Sequence, residues 1–260
     1  MQFLKTIYTI WQRELIRYWR DKTRLASTFI QPLMFLAIFG SGLRQTLASG
    51  NLGVDFVQFM YPGIIAMSVM GVAFFSTIST VWDREFGFLK EILVAPVSRT
   101  SIALGKTTGA ATIASSQALI LLILGPFIGI KINLAIIPEL FIFMILLALA
   151  ISGLGLFIAS LMKTTESFGL IMQLLIFPLF FLSGAFFPLT AVPLWMSIIS
   201  RINPLSYGVD AFRQILLRGQ LPEAVLSQFS LHSITINGLF LSLFAIVMVS
   251  AAVMAFNKKS

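Results

Sequence analysis

LFIFMILLALAISGLGLFIASLM, the stretch Leu140–Met162, contains no Asp, Glu, Lys or Arg. A helix needs roughly 20 mostly apolar residues to cross the hydrocarbon layer of a bilayer. This stretch is long enough to do so. It therefore predicts a helix that spans a membrane, and the rest of the chain has a similar character.

The composition places the whole chain in a membrane. Of its 260 residues, 58% are hydrophobic and 11% are charged, whereas soluble domains are about 45–50% apolar and about 25% charged. Disorder is excluded as well, because it requires low hydrophobicity and high charge. The chain has no cysteine, which rules out disulfides, thiolate metal sites and thiol nucleophiles.

Five further charge-free runs occur, and two of them are too long for a single span. Pro188 and Pro193 interrupt helical hydrogen bonding in one of these, so the fifth span should end near Ser183. The predicted fold is an all-α polytopic membrane protein, with a membrane domain at 25–257 and an outer re-entrant or interfacial segment at 184–223. Six spans are expected at residues 25–43, 56–82, 107–130, 140–162, 167–183 and 234–256.

Lysine and arginine concentrate on alternate connecting segments. Of the 18 in the chain, 13 lie before the first span, in the loop 83–106, at Lys163 or after the last span. Positively charged loops remain on the cytoplasmic side. Both termini are therefore expected in the cytoplasm, in a multi-pass protein of the cytoplasmic (inner) membrane. Because these charges flank apolar runs, they argue against nucleic acid as a partner and for membrane lipids.

Residues 1–24 form a segment with two faces. Apolar and aromatic residues recur at helical spacing from Leu4 to Trp19, whereas Arg13, Arg17 and other arginines follow a different stripe. This pattern is typical of an amphipathic helix lying in the membrane interface. The periodicity leaves open whether the helix is only an anchor or also contacts a cytoplasmic partner.

The loop 83–106 contains a short charged segment, Asp83–Arg99 (DREFGFLKEILVAPVSR). Phe88 and the apolar residues near it form a stripe, and Pro96 then ends the predicted helix. A short amphipathic helix at the inner surface suits docking into a groove of a soluble protein. A solvated loop with one edge against lipid fits the same pattern equally well.

The sequence also argues against several activities. Gly105-Lys106-Thr107 resembles the end of a phosphate-binding loop, but Thr100 stands where that motif requires a glycine. If ATP drives the protein, another chain must bind it. The predicted spans contain no ionisable residue, which disfavours proton-coupled transport and most ion channels. His232 is the only histidine and no acidic cluster occurs, so neither an enzyme nor a metal site is expected.

The order of these features resembles the membrane subunit of type-2 ABC exporters, a permease family of drug, nodulation-factor and polysaccharide export systems. The likeness rests on Asp83–Arg99, with its Glu-Phe-Gly and Pro-Val-Ser-Arg, and on two blocks near the last span. These blocks are SGAFFP at Ser183–Pro188 and NPLSYGVDAFR at Asn203–Arg213. The resemblance implies two copies of this chain, or of a close homologue, with two cytoplasmic ATPase subunits that bind the ATP and Mg.

The resemblance also implies roles for three groups of residues. The ATPase-coupling residues would be Asp83, Arg84, Glu85, Phe86, Gly87, Leu89, Lys90, Glu91, Pro96 and Arg99. The substrate path, between the second and fifth spans, would include Phe74, Phe75, Thr77, Gln173, Phe177 and Phe181. The outer motif would include Gly184, Pro188, Asn203, Pro204 and Tyr207.

The sequence thus favours the permease subunit of an ATP-driven exporter for an amphiphile such as a drug, a lipid or a lipid-linked glycan. An ATP-independent secondary transporter or channel is the main alternative. A membrane scaffold without transport activity is a third. Substrate flux with and without the ATPase separates the three hypotheses.

Overall fold

The protein is described by a computed structural model over residues 2–47, 56–88, 97–128 and 130–258. Within these ranges the chain is all-helical and forms no sheet, as predicted. The α-helices are α1 Gln2–Arg20, α2 Lys22–Leu47, α3 Phe56–Glu85, α4 Arg99–Leu124, α5 Ile137–Leu161, α6 Thr165–Phe181, α7 Leu194–Ser200, α8 Pro204–Leu217, α9 Glu223–Phe229 and α10 Ile234–Lys258.

Short polar side chains set several of the helix starts. Ser98, Thr164 and Asn203 each accept a hydrogen bond from a backbone N–H in the first turn of α4, α6 and α8. These N–H groups have no partner within the helix, so a capping side chain stabilises the start. Pro138 and Pro204 occupy first-turn positions, where a missing N–H costs nothing.

Four segments are long and apolar enough to cross a membrane. They are Phe56–Glu85, Arg99–Phe127, Leu134–Leu161 and Val225–Asn257. Helix α2 contains the predicted first span, and α6 contains most of the fifth. With 17 residues, α6 is about 26 Å long at 1.5 Å per residue. The multi-pass class is confirmed, while the count of six spans stays a prediction.

Helix α4 begins at Arg99, although the predicted span begins at residue 107. The charges of Arg99 and Lys106 led to the later prediction, because charged residues are normally excluded from a span. The Ser98 cap starts the helix two turns earlier, and Lys106 is therefore part of α4 with its side chain buried.

Helix α3 lies at the centre of the bundle and packs against α2, α4, α5, α6 and α8. Its Ile65, Val69 and Phe74 side chains are fully buried. Nearly every residue of α8 is buried too, although α8 is too short to span a membrane. Helices α5 and α10 pack along each other, and α1 lies against α4.

Candidate functional site at the C-terminal end of helix α3

A buried cluster of charges joins the last turn of α3 to α1 and α4. The Asp83 carboxylate accepts hydrogen bonds from Arg13 Nη2 at 2.7 Å and from Lys106 Nζ at 2.6 Å. Lys106 Nζ also lies 3.4 Å from Glu14 Oε1, and Arg17 Nη1 lies 3.7 Å from Asp83 Oδ1. Lys106, Asp83 and Glu14 are only 2%, 4% and 5% exposed. We call these five residues the ion cluster.

Close packing and aromatic contacts hold α1 in place beside the ion cluster. Gly105 allows this approach, because an added Cβ would lie 2.7 Å from Ile10 Cβ. The Trp11 indole N–H donates to Thr112 Oγ1 at 3.0 Å. The Arg17 guanidinium lies 4.8 Å from the centroid of the Trp82 ring, a cation–π distance. Helix α1 is therefore fixed to the bundle along one face.

Arg84, the next residue of α3, binds the C-terminal end of α5. Its Nη1 donates to the carbonyl oxygens of Ser160 at 2.8 Å and Ala159 at 3.4 Å, and also to that of Met162. The last carbonyls of a helix have no partner within it and carry partial negative charge. A guanidinium satisfies several of them at once.

Glu85, the last residue of α3, binds the N-terminal end of α6. Its Oε2 accepts a hydrogen bond from the Thr165 backbone N–H at 2.9 Å and another from the Thr165 hydroxyl. A carboxylate at this position is favoured by the positive end of the helix dipole. Three successive residues, Asp83, Arg84 and Glu85, therefore contact three different parts of the fold.

An open groove of about 920 Å³ lies between α1 and the end of α3. Arginines of α1 form one wall, and Trp82, Phe86 and Phe88 contribute aromatic surface. The Phe86 side chain is 80% exposed. A large exposed aromatic side chain beside charged groups is typical of a surface that contacts another protein.

The remaining predicted coupling residues are only partly described. Gly87 has φ +80, a conformation that glycine adopts without strain, and it ends α3. Arg99 Nη1 donates to the Asn257 carbonyl at 3.1 Å. The predictions for Leu89, Lys90, Glu91 and Pro96 lie outside the described residues.

The predicted path residues fall into two groups. Phe74 and Thr77 are buried, and they pack on Gly155 of α5 so closely that a Cβ there would lie 2.7 Å from Thr77 Oγ1. The other four predicted path residues have exposed side chains, so only these could contact lipid or a second copy of the chain. These are Phe75, Gln173, Phe177 and Phe181.

The outer motif ties the end of α6 to α8. Asn203 Nδ2 donates to the Leu179 carbonyl at 2.7 Å, and Tyr207 donates its hydroxyl proton to the Arg201 carbonyl at 2.7 Å. Pro188 precedes a 3-10 turn, and Pro204 begins α8. The Gly184 carbonyl accepts a hydrogen bond from Arg213 Nη2 at 2.7 Å.

Arg213 is a buried cation within this outer region. Its guanidinium lies 4.0 Å from the centroid of the Phe59 ring. Burial lowers the pKa of Arg213 to about 10, and the nearby Asp210 carboxylate opposes this shift. Arg213 is still charged at neutral pH, so it can act as a hydrogen-bond donor that links α8 to Gly184.

Several charged positions that the structure brings into networks were not predicted as site residues: Arg13, Glu14, Arg17, Lys106, Asp210 and Arg213. Lys106 completes the ion cluster, but Glu14 lies 92 positions away and no local pattern relates the two. Asp210 accepts hydrogen bonds from the His232 N–H at 3.1 Å and Asn237 Nδ2 at 2.8 Å. The available signal for Asp210 was that it is the single acidic residue in the largely apolar sequence of α8.

The four long apolar helical segments identify a multi-pass membrane protein. Comparison with known proteins gives the family: the model for the ABC-2 type transporter matches residues 5–217. The chain belongs to the ABC-2 type transporter family. This confirms the resemblance recognised in Asp83–Arg99 and in the outer blocks.

Several relatives share much of the chain. "Putative transport permease ycf38" of Cyanophora paradoxa is 31% identical over 90% of this chain and 82% of its own length. Nodulation protein J of Rhizobium meliloti (strain 1021) is 29% identical over 90% of this chain and 89% of its own. "Probable multidrug ABC transporter permease YbhR" of Escherichia coli (strain K12) is 32% identical over 65% of this chain and 46% of its own. Two of these relatives are named as permeases, in agreement with the membership of this chain in the ABC-2 type transporter family.

Proposed function

We propose that this chain is the membrane subunit of an ATP-driven exporter. Two copies of it, or one with a close homologue, would assemble with two cytoplasmic ATPase subunits that bind ATP and Mg. The substrate would be an amphiphile, such as a drug, a lipid or a lipid-linked glycan, carried across the cytoplasmic membrane. Family membership supports the class, and the names of the multidrug and nodulation relatives agree with export.

The end of α3 carries the proposal, because it combines an exposed surface with firm anchorage. The groove beside Phe86 offers aromatic and cationic groups to a partner. Asp83, Arg84 and Glu85 directly behind it are bound to α1, α4, α5 and α6. A partner that binds this surface and moves would therefore displace several helices together. The exposed Phe75, Phe177 and Phe181 are the candidate apolar path residues in the assembled dimer.

The test of the proposal is assembly with a soluble ATPase. The chain, purified from its native membrane in mild detergent, should retain an ATPase subunit and hydrolyse ATP. Phe86→Asp should reduce the recovered ATPase about tenfold or more, since it places a carboxylate in an aromatic contact surface. Phe127→Asp is the matched control, because Phe127 is 85% exposed and follows the opposite end of the bundle.

Two outcomes would contradict the proposal. One is a chain that retains no ATPase. The other is transport of an amphiphilic dye, such as ethidium, by the chain alone in proteoliposomes driven by an ion gradient. The second result would establish the ATP-independent alternative. Equal ATPase recovery with Phe86→Asp and Phe127→Asp would contradict the docking role of the groove. It would not contradict the proposal that the chain is the membrane subunit of an ATP-driven exporter.

A further inference from the structure

The turn between α5 and α6 is held from both sides by neighbouring residues of α3. Arg84 donates to the Ser160 carbonyl at 2.8 Å, and Glu85 accepts from the Thr165 N–H at 2.9 Å. Only Met162, Lys163 and Thr164 separate the two helices. One dipeptide therefore binds both the end of α5 and the start of α6.

The side-chain charges of Arg84 and Glu85 are opposite in sign to the partial charges of the helix ends that they contact. A chain leaving one helix and entering the next passes from a negative helix end to a positive one. Arg84 meets the carbonyls of the first end, and Glu85 meets the N–H of the second. Reversing the two residues would place each charge beside the helix end of its own sign. The arrangement is thus specific to the order Arg-Glu.

Helix α6 is otherwise attached along a single face. Its buried residues are Phe168, Met172 and Phe180, while many of its other side chains are exposed. Pro178 interrupts its hydrogen bonding near the far end, where a helix bends readily. The far end is held by Asn203, which donates to the Leu179 carbonyl, so movement of the N-terminal end acts most directly on the part of α6 before Pro178. The N-terminal end is the one Glu85 holds.

We propose that Arg84 and Glu85 are positioning residues that join the C-terminal end of α3 to the Met162–Thr165 turn as one rigid body. Movement of the end of α3 would then be transmitted directly to the start of α6. The helix carries the exposed Gln173, Phe177 and Phe181, so the link would connect ATPase docking to the candidate path. This inference rests on the proposed function for the source of the movement.

The link itself is tested in the chain alone, without any ATPase. Glu85→Ala should speed amide hydrogen exchange at Thr165 by about tenfold, because the N–H loses its charged acceptor. The control is Glu166→Ala, which removes a carboxylate from the same turn that makes no hydrogen bond to the described part of α3. Glu85 is exposed, so its truncation should leave the fold intact. Equal exchange in the two variants would overturn the link.

Transmission of movement from the end of α3 to α6 is tested in the complex of the chain with its co-purified ATPase. The chain has no cysteine, so Gln173→Cys provides a single maleimide site on α6. ATP with vanadate should change its labelling rate about fivefold or more if the environment of α6 changes between states. Adding Glu85→Ala should abolish that change, and Thr165→Val, which removes only the hydroxyl donor, should reduce it, whereas Thr165→Ser should preserve it.

The outcomes separate this inference from the proposed function. A labelling change that persists with Glu85→Ala, or that never occurs in the parent complex, would overturn the transmission role. Loss of ATPase binding with Glu85→Ala would assign Glu85 to docking and would also overturn it. Absence of any co-purified ATPase would refute the proposed function and with it the transmission role, while the exchange experiment would still decide whether Arg84 and Glu85 hold the turn.

Discussion

Lys106 shows how one side chain decides the local structure of this protein. Its ammonium lies between the carboxylates of Asp83 and Glu14, and it is 2% exposed. A buried charge is costly unless it is paired and hydrogen-bonded. Arg13 is also bound to Asp83, so the negative charges of the carboxylates are largely neutralised by the neighbouring cations. The ion cluster can therefore lie inside the packed end of the bundle.

Removing this ammonium should destabilise the protein strongly. Lys106→Met leaves Glu14 buried without its cation, and breaking a buried ion pair costs about 3 kcal/mol or more in unfolding free energy. The measurement is unfolding in detergent micelles followed by tryptophan fluorescence. Lys131→Met, at an exposed position, serves as the control. Adding Glu14→Gln to Lys106→Met should restore part of the loss. Equal stability of the two lysine variants would contradict the assignment.

At the scale of the element, α1 shows what periodicity can and cannot predict. The sequence predicts an amphipathic helix at 1–24, and the structure forms α1 over Gln2–Arg20. The face buried in the bundle consists of Ile10, Glu14 and Tyr18, whereas the apolar Leu4 and Trp19 remain exposed. A pattern of residue types reveals that a helix has two faces. The partner of each face depends on residues far away in the chain.

Helix α3 approaches the outer segment closely enough that only glycine fits. An added Cβ at Gly63 would lie 2.6 Å from Ala185 Cβ and 2.7 Å from Ala185 Cα. We expect Gly63→Ala to cost about 2 kcal/mol of unfolding free energy, as overpacking commonly does. Gly71→Ala on the same helix meets no atom within 4 Å and should be neutral or slightly stabilising. Thermal unfolding of both variants in detergent measures the difference, and similar midpoints would contradict the packing argument.

At the scale of the whole molecule, the distribution of positive charge predicts the orientation of the bundle in the membrane. Most lysines and arginines flank the ends of spans that lead to α1, to the loop 83–106 or to the C-terminus. Moving such charges across a bilayer is unfavourable, so we expect them on the cytoplasmic side. Phe86 directly follows the segment Phe56–Glu85, and Phe127 is the last residue of the next segment, Arg99–Phe127, so the two should lie on opposite sides.

The absence of cysteine allows a direct test of this orientation. A membrane-impermeant maleimide should label Phe127→Cys in intact cells and Phe86→Cys only in inverted vesicles. The unmodified chain gives the background. Both residues are largely exposed, so access to the reagent depends on sidedness and not on burial. Labelling of both variants from the same side would contradict the predicted topology, and the reverse pattern would invert it.

The sequence by itself determined that this protein lies in a membrane and where most of its apolar helices fall, and it predicts how the charges orient the protein. These properties follow from local composition, because transfer of a segment into lipid depends mainly on the side chains of that segment. It placed the start of α4 about two turns too late, since Lys106 was assigned to a loop and not to α4.

Only the tertiary structure decided which charges meet. Asp83 pairs with Arg13, 70 residues away, and with Lys106, 23 residues away. Arg84 and Glu85 bind the end of α5 and the start of α6, 76 and 80 positions further along the chain. The physical reason is that hydrogen bonds and ion pairs require atoms within about 3–4 Å, a condition that helix packing sets and that no local pattern encodes.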